Sequence, residues 1–175
     1  MKKILVAGVL GFGLVGCATS PDMQHAPSPL NEVAQVVEIE GYSKDQLFES
    51  SKIWMAKVFN SSNNVVQYAD KNTGSIIGKG NIQYPCSGFM DCEAFGRDVV
   101  NFTIKIDTKD SRARVAFSDI SRKPLTYVKG GLNTNIGRDV PIMQIKQQQQ
   151  VKAKMESIIQ QYKQDIINQK SDSNW

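Results

Sequence analysis

Few side chains in this chain offer chemistry. Paired carboxylates, the equipment for acid–base work on glycan or peptide, occur as Glu38/Glu40 and Asp91/Glu93. Glu38 and Glu40 stand two apart, which on a strand puts both on one side, as on a solvated sheet face. The single histidine, His25, lies in a proline-rich stretch and is expected to be solvated and idle. The sequence has no CxxC, no GxSxG and no cluster of metal-ligand residue types. Gly78-Lys79-Gly80 lacks the spacing and the following helix of a phosphate loop. No enzyme, no metal and no cofactor are therefore expected. The remaining chemistry belongs to three cysteines, Cys17, Cys86 and Cys92.

Leu14-Val15-Gly16-Cys17 closes a segment that opens with Lys2-Lys3 and continues as an apolar run from Ile4 to Val15. That order is a charged n-region, an h-region and a small-residue cleavage site. With cysteine at the cut, it resembles the lipobox of bacterial lipoproteins. The resemblance implies a signal peptide over 1–16, a diacylglyceryl thioether on Cys17, cleavage before it, and acylation of the new amine by a palmitate-like chain. A membrane-spanning helix needs about 20 apolar residues, and this run is too short for one. An ordinary secretory signal would not require cysteine at the cut. Stable anchoring takes more than one acyl chain, which a triacylated Cys17 supplies. Ala18 follows where Asp would hold a Gram-negative lipoprotein at the inner membrane, so the resemblance implies an outer-membrane anchor facing the periplasm.

With Cys17 assigned to lipid by that resemblance, Cys86 and Cys92 remain. An exported chain enters an oxidising compartment, and two cysteines allow one intramolecular pairing, so a Cys86–Cys92 disulfide is expected. A metal site or a catalytic thiol would need partners that the sequence does not offer. The formal charge of +4 is weak and shows no concentrated basic face. No nucleic-acid partner is expected.

These residues need positioning elements. Residues 17–31 read as the lipidated cysteine and a flexible linker rich in proline and small polar residues. Glu32–Glu40 reads as a first strand with Val33, Val37 and Ile39 on one face. Ser43 and Gln46 fit a capping box, with Tyr42 and Leu47 placed as a staple. The helix that follows carries Leu47, Ser51, Trp54, Met55 and Val58 on one stripe, with Trp54 in the core. Asn60-Ser-Ser-Asn-Asn64 breaks it. Asn64–Asp70 is a second strand with Val66 and Tyr68 inward. Gly74 turns a hairpin into a third strand over 75–82, where Gly78 and Gly80 imply a bulge or a close backbone approach. A cystine loop spans 83–97. Alternation of Val100, Phe102, Ile104 and Ile106, then of Ala113, Val115 and Phe117, defines a second hairpin. Residues 121–139 read as a long basic loop. Pro141 suits a first helical turn, and Ile145, Val151, Met155, Ile158, Ile159, Tyr162 and Ile166 form the stripe of a long helix. Residues 168–175, ending in Trp175, read as a frayed tail.

This order predicts a two-layer α+β domain over 32–167. An antiparallel sheet of about five strands is covered on one face by two helices. The runs GYSKDQLFESSKIWMAKVF, VVQYADKNTGSIIGKGNI and VNFTIKIDTKDSRARVAFSDI resemble the DUF4468 type of domain. The resemblance implies a TBP-like fold. The family is one of unknown function, so no catalytic residue comes with it, and the fold name describes architecture without implying DNA binding.

A lipid anchor, a spacer and one domain without a catalytic set point to a non-enzymatic interaction module. Its partner is expected to be an envelope protein or surface component. The candidate contact residues are Tyr84 and Phe89 in the cystine loop, and Arg122, Lys123, Tyr127, Lys129 and Arg138 in the basic loop. An apolar-ligand carrier needs an unfilled cavity between sheet and helices. An envelope hydrolase needs one of the carboxylate pairs buried in a deep pocket.

Overall fold

The structure, a computed structural model, describes residues 24–59, 65–125 and 137–172. Cys17, Ala18 and the signal segment, the breaker at 60–64, Tyr127, Lys129 and Trp175 lie outside the described residues.

The elements run β1 (Glu32–Glu38), α1 (Lys44–Val58), β2 (Val65–Asp70), β3 (Ser75–Gln83), α2 (Phe89–Phe95), β4 (Val99–Lys109), β5 (Arg112–Lys123), β6 (Val140–Pro141) and α3 (Ile145–Asp172). Every strand pairing is antiparallel, in the order β1-β5-β4-β3-β2. β1 covers Arg112 to Ser118 of β5, and the short β6 pairs with Ser121 and Arg122 further along the same edge. Helices α1 and α3 lie side by side on one face of the sheet. The chain is an α+β domain of the expected two-layer kind.

The capping box at α1 is formed. Gln46 N donates to Ser43 Oγ at 3.3 Å, and Ser43 N donates to Gln46 Oε1 at 2.9 Å. Leu47, Phe48, Ser51, Trp54 and Met55 turn inward. Val58 does not, because Phe59 at the C-cap takes the core position. Trp54 meets the rings of Phe59 and Tyr162 edge-on at 5.6 and 5.0 Å. Its Nε1 donates to Asp165 Oδ2 of α3 at 3.0 Å. Gly80 allows the close approach expected of it: a Cβ there would sit 2.8 Å from the Phe102 ring.

Several expectations need correction. Val66 and Tyr68 are exposed, since β2 is the edge strand, and a register shift between them turns Tyr68 opposite Ile77. β5 continues past Ser118 to Lys123, because a bulge with Asp119 at φ 51° returns Ile120 to the core out of phase with the alternation. Pro141 lies in β6 and not in a helical turn. It has no N–H to donate, which an edge strand tolerates. The helix starts later, at Ile145, and runs through the predicted fray to Asp172. Residues 24–30 are not a free linker. Ala26 N donates to Met143 O at 2.7 Å, Leu30 N to Ile142 O at 3.2 Å, and Ile145 N, at the start of α3, donates to Gln24 O at 2.9 Å.

Candidate functional site

The end of the sheet where β3 stops and β4 begins gathers most of the irregular chain. Cys86 and Cys92 are joined there by a disulfide with Cα atoms 5.0 Å apart. The segment it closes contains α2, which reads as loop in the sequence because its seven residues are too few to show a period. Ser87 N donates to Asp91 Oδ2 at 2.7 Å and Gly96 N to Cys92 O at 2.8 Å, fixing both ends of this helix. Gly88 enters it at φ 80°, in the left-handed region that glycine adopts freely.

Phe89 and Met90, at the start of α2, are each 77% exposed. Tyr84 is the opposite case and corrects its reading as a contact residue. It is 2% exposed. Its ring lies edge-on to Phe95 at 5.9 Å, and its hydroxyl donates to Gln150 Oε1 of α3 at 2.5 Å. Gln150 Nε2 in turn donates to Asp91 Oδ2 at 2.8 Å. Burial, with the nearby Asp91 charge, pushes the Tyr84 phenol well above its ordinary pKa. Tyr84 therefore ties the cystine segment to α3.

Arg122 is corrected as well. It belongs to β5, its side chain is only 16% exposed, and it is paired closely with Asp98 Oδ2, whose own side chain is 1% exposed. The guanidinium also lies 4.7 Å from the Phe95 ring centroid. Asp98 Oδ1 accepts from Leu125 N at 2.8 Å, and Gly137 N donates to Pro124 O at 2.8 Å. The structure thus brings the cystine segment and the base of the basic loop together around one buried ion pair. Leu125 and Arg138 are exposed there, and Lys123 partly so. Sequence reasoning missed the Asp98–Arg122 pair and the contribution of Leu125. Asp98 stands just before β4 with nothing local to mark its partner.

The described start of the chain reaches the same end. His25 bridges to Gln144, and with Arg122, Pro124, Val140, Met143 and Gln147 it lines a shallow hollow of about 250 Å³.

The uncovered sheet face carries two wider depressions. One, of about 540 Å³, is lined by Val36, Lys105, Asp107, Lys109, Arg112 and Arg114. The other, of about 520 Å³, includes Lys79, Asn81, Asn101, Thr103, Asp119 and Lys123. Much of their charge is internally matched: Lys105 with Asp107 at 2.9 Å, Arg114 with Glu32 at 2.6 Å, and Thr103 Oγ1 donating to Asp119 Oδ2 at 2.8 Å. Glu38 and Glu40 are exposed, as is Glu93, while Asp91 is occupied by Ser87 and Gln150. Among the described residues no group of three His, Cys, Asp or Glu is placed to hold a metal, and no helix is long and apolar enough to cross a membrane.

An antiparallel sheet with both long helices on one face and the other face bare defines an α+β domain of the TBP-like class. The chain belongs to the DUF4468 family, described as a domain of unknown function with TBP-like fold, whose model matches residues 34–123, just over half of the chain. It is similar to the crystal structure of a TBP-like protein from Parabacteroides distasonis ATCC 8503, with a TM-score of 0.59 and 16% identity, over 78% of this chain and 92% of that one. A DUF4468 family protein from Bacteroides ovatus ATCC 8483 is similar with a TM-score of 0.52 and 16% identity, over 81% of this chain and 87% of its own. At such identity the likeness concerns the fold alone. No curated protein matches the chain.

Proposed function

We propose that this chain is a lipid-anchored protein of the cell envelope that acts without catalysis, through a contact surface at the cystine end of its domain. The observation that carries the reading is Cys17 at the cut of a signal-like segment, in Leu14-Val15-Gly16-Cys17. Ala18 supports an outer-membrane anchor facing the periplasm. The contact surface is argued from Phe89 and Met90, the most exposed large apolar side chains among the described residues. Their helix is closed by a disulfide and tied to α3, so presenting them costs little ordering entropy on binding. Lys123, Leu125 and Arg138 extend the surface.

The hydrolase reading finds no support in exposed or already bonded carboxylates. The carrier reading needs free volume between sheet and helices, where Trp54, Phe102, Phe117, Met155 and Tyr162 are all buried.

Anchoring is tested by fractionating cells that express the wild-type chain or Cys17→Ser, with intact-mass measurement of the purified product. The wild type is expected in the outer-membrane fraction, carrying the mass of its acyl chains, and the variant in the soluble fraction. A mature chain without acyl mass would end the anchoring reading.

A further inference from the structure

The cystine end is also the anchor end. Gln24 O accepts from Ile145 N at the start of α3, and His25 shares a hollow with Arg122, whose guanidinium lies against Phe95 of α2. The chain therefore leaves the described domain toward Cys17 beside the helix that presents Phe89 and Met90. From Cys17 to Gln24 it advances seven residues, a reach of at most about 25 Å when fully extended. Helix α3, 28 residues long, extends about 42 Å away from that point. At its far end Tyr42 donates to Ile166 O at 2.6 Å, and Lys44 N donates to Asp110 at 2.7 Å, so the β4–β5 turn is the remote pole. A tether shorter than the molecule holds one pole near the lipid and leaves the other away from it.

We propose that the partner of the cystine-end surface is the bilayer itself: Phe89 and Met90, on the disulfide-closed helix α2, enter the headgroup region of the membrane that holds Cys17. This rests on the anchoring reading above and names the contact that the same surface makes. The chemistry fits an interface. Two adjacent large apolar side chains project from a helix whose ends are fixed by the bonds of Ser87 N to Asp91 Oδ2 and of Gly96 N to Cys92 O, and Leu125 lies near the other end of α2, beside Asp98. The exposed or partly exposed charges of this end balance, Arg97, Lys123 and Arg138 against Asp91, Glu93 and Asp139, so the apolar pair carries the contact. The contact would hold the domain at a set angle to the bilayer, which a single-point lipid anchor does not do.

The test uses the full chain, processed in cells and reconstituted into vesicles of phosphatidylethanolamine and phosphatidylglycerol, with plain or brominated acyl chains. Phe89→Trp places a fluorophore at the proposed contact, and Lys109→Trp places one at the remote pole; the unsubstituted chain supplies the background from Trp54 and Trp175. The expected result is a blue shift and a loss of the added emission in brominated vesicles for F89W, with neither change for K109W. Emission of acylated F89W equal in plain and brominated vesicles would overturn the proposal, and a protein partner crosslinked at that position would then take its place. Equal quenching of both variants would overturn it too, since no pole would be preferred. Intact mass is read on the same samples: absence of acyl chains would remove the anchoring reading, and the proposal with it.

Discussion

Tyr84 and Phe89 are aromatic residues flanking one cysteine, yet one closes the core and the other stands in solvent. The difference comes from Gln150 on α3, which offers the Tyr84 hydroxyl an acceptor from across the fold. A buried phenol with such a partner stays, because leaving it unpaired costs about 1–3 kcal/mol. Tyr162 follows the same logic. It shares a 2.8 Å hydrogen bond with Ser51 Oγ, which also donates to Leu47 O. Burial outweighs the opposing Ser51 hydrogen bond and raises its pKa from 10.0 to about 12. The folded value lies above the unfolded one, so the unfolded chain releases this proton first. The contribution is intact below pH 10, and stability falls as pH climbs from 10 toward 12. Urea unfolding followed across that window should show a falling midpoint in the wild type. The fall should be shallower in Tyr162→Phe, and an equally steep loss in the variant would contradict the assignment.

At the scale of elements, α1 and the β4–β5 hairpin were legible because their signals are local. The capping box of Ser43 and Gln46 occupies four consecutive residues, and strict alternation from Val99 to Lys109 survives intact. Helix α2 was not legible, being too short for a hydrophobic period and carrying no buried residue. Its persistence depends on the Cys86–Cys92 bond and the Asp91 contacts. Replacing both cysteines with serine should cost about 2 kcal/mol, the low end for a disulfide closing so short a loop. Amide exchange should rise in residues 89–95 while β4 and β5 keep their protection. Unchanged exchange in α2 would mean that Tyr84 and Gln150 hold the segment without the bond.

For the whole molecule, residues 24–30 matter more than their composition suggests. They satisfy the first N–H of α3 and the backbone around β6, and Ser28 O accepts from Gln148 Nε2 at 2.8 Å. A chain beginning at Leu30 should therefore be less stable than one beginning at Gln24 by about 2–3 kcal/mol, from hydrogen bonds worth about 1 kcal/mol each. Equal urea midpoints for the two would show that this segment adds nothing. The same latch links mechanics to the proposed function, because a tether docked beside α3 passes the position of the anchor to the cystine end.

The sequence by itself determined the periodic parts: the core stripes of α1 and α3, the alternation of β4 and β5, the turn at Gly74 and the family resemblance carried by those segments. Each is an interaction among residues near in sequence, or a repeated choice between apolar and polar, and both leave a trace in one dimension. Only the tertiary structure decided which irregular residues meet. The pairing of Asp98 with Arg122, the burial of Tyr84 against Gln150 and the docking of residues 24–30 on α3 join groups far apart in the chain through single hydrogen bonds or ion pairs. Such contacts have no period, so they become visible only when the sheet and helices have set the distances.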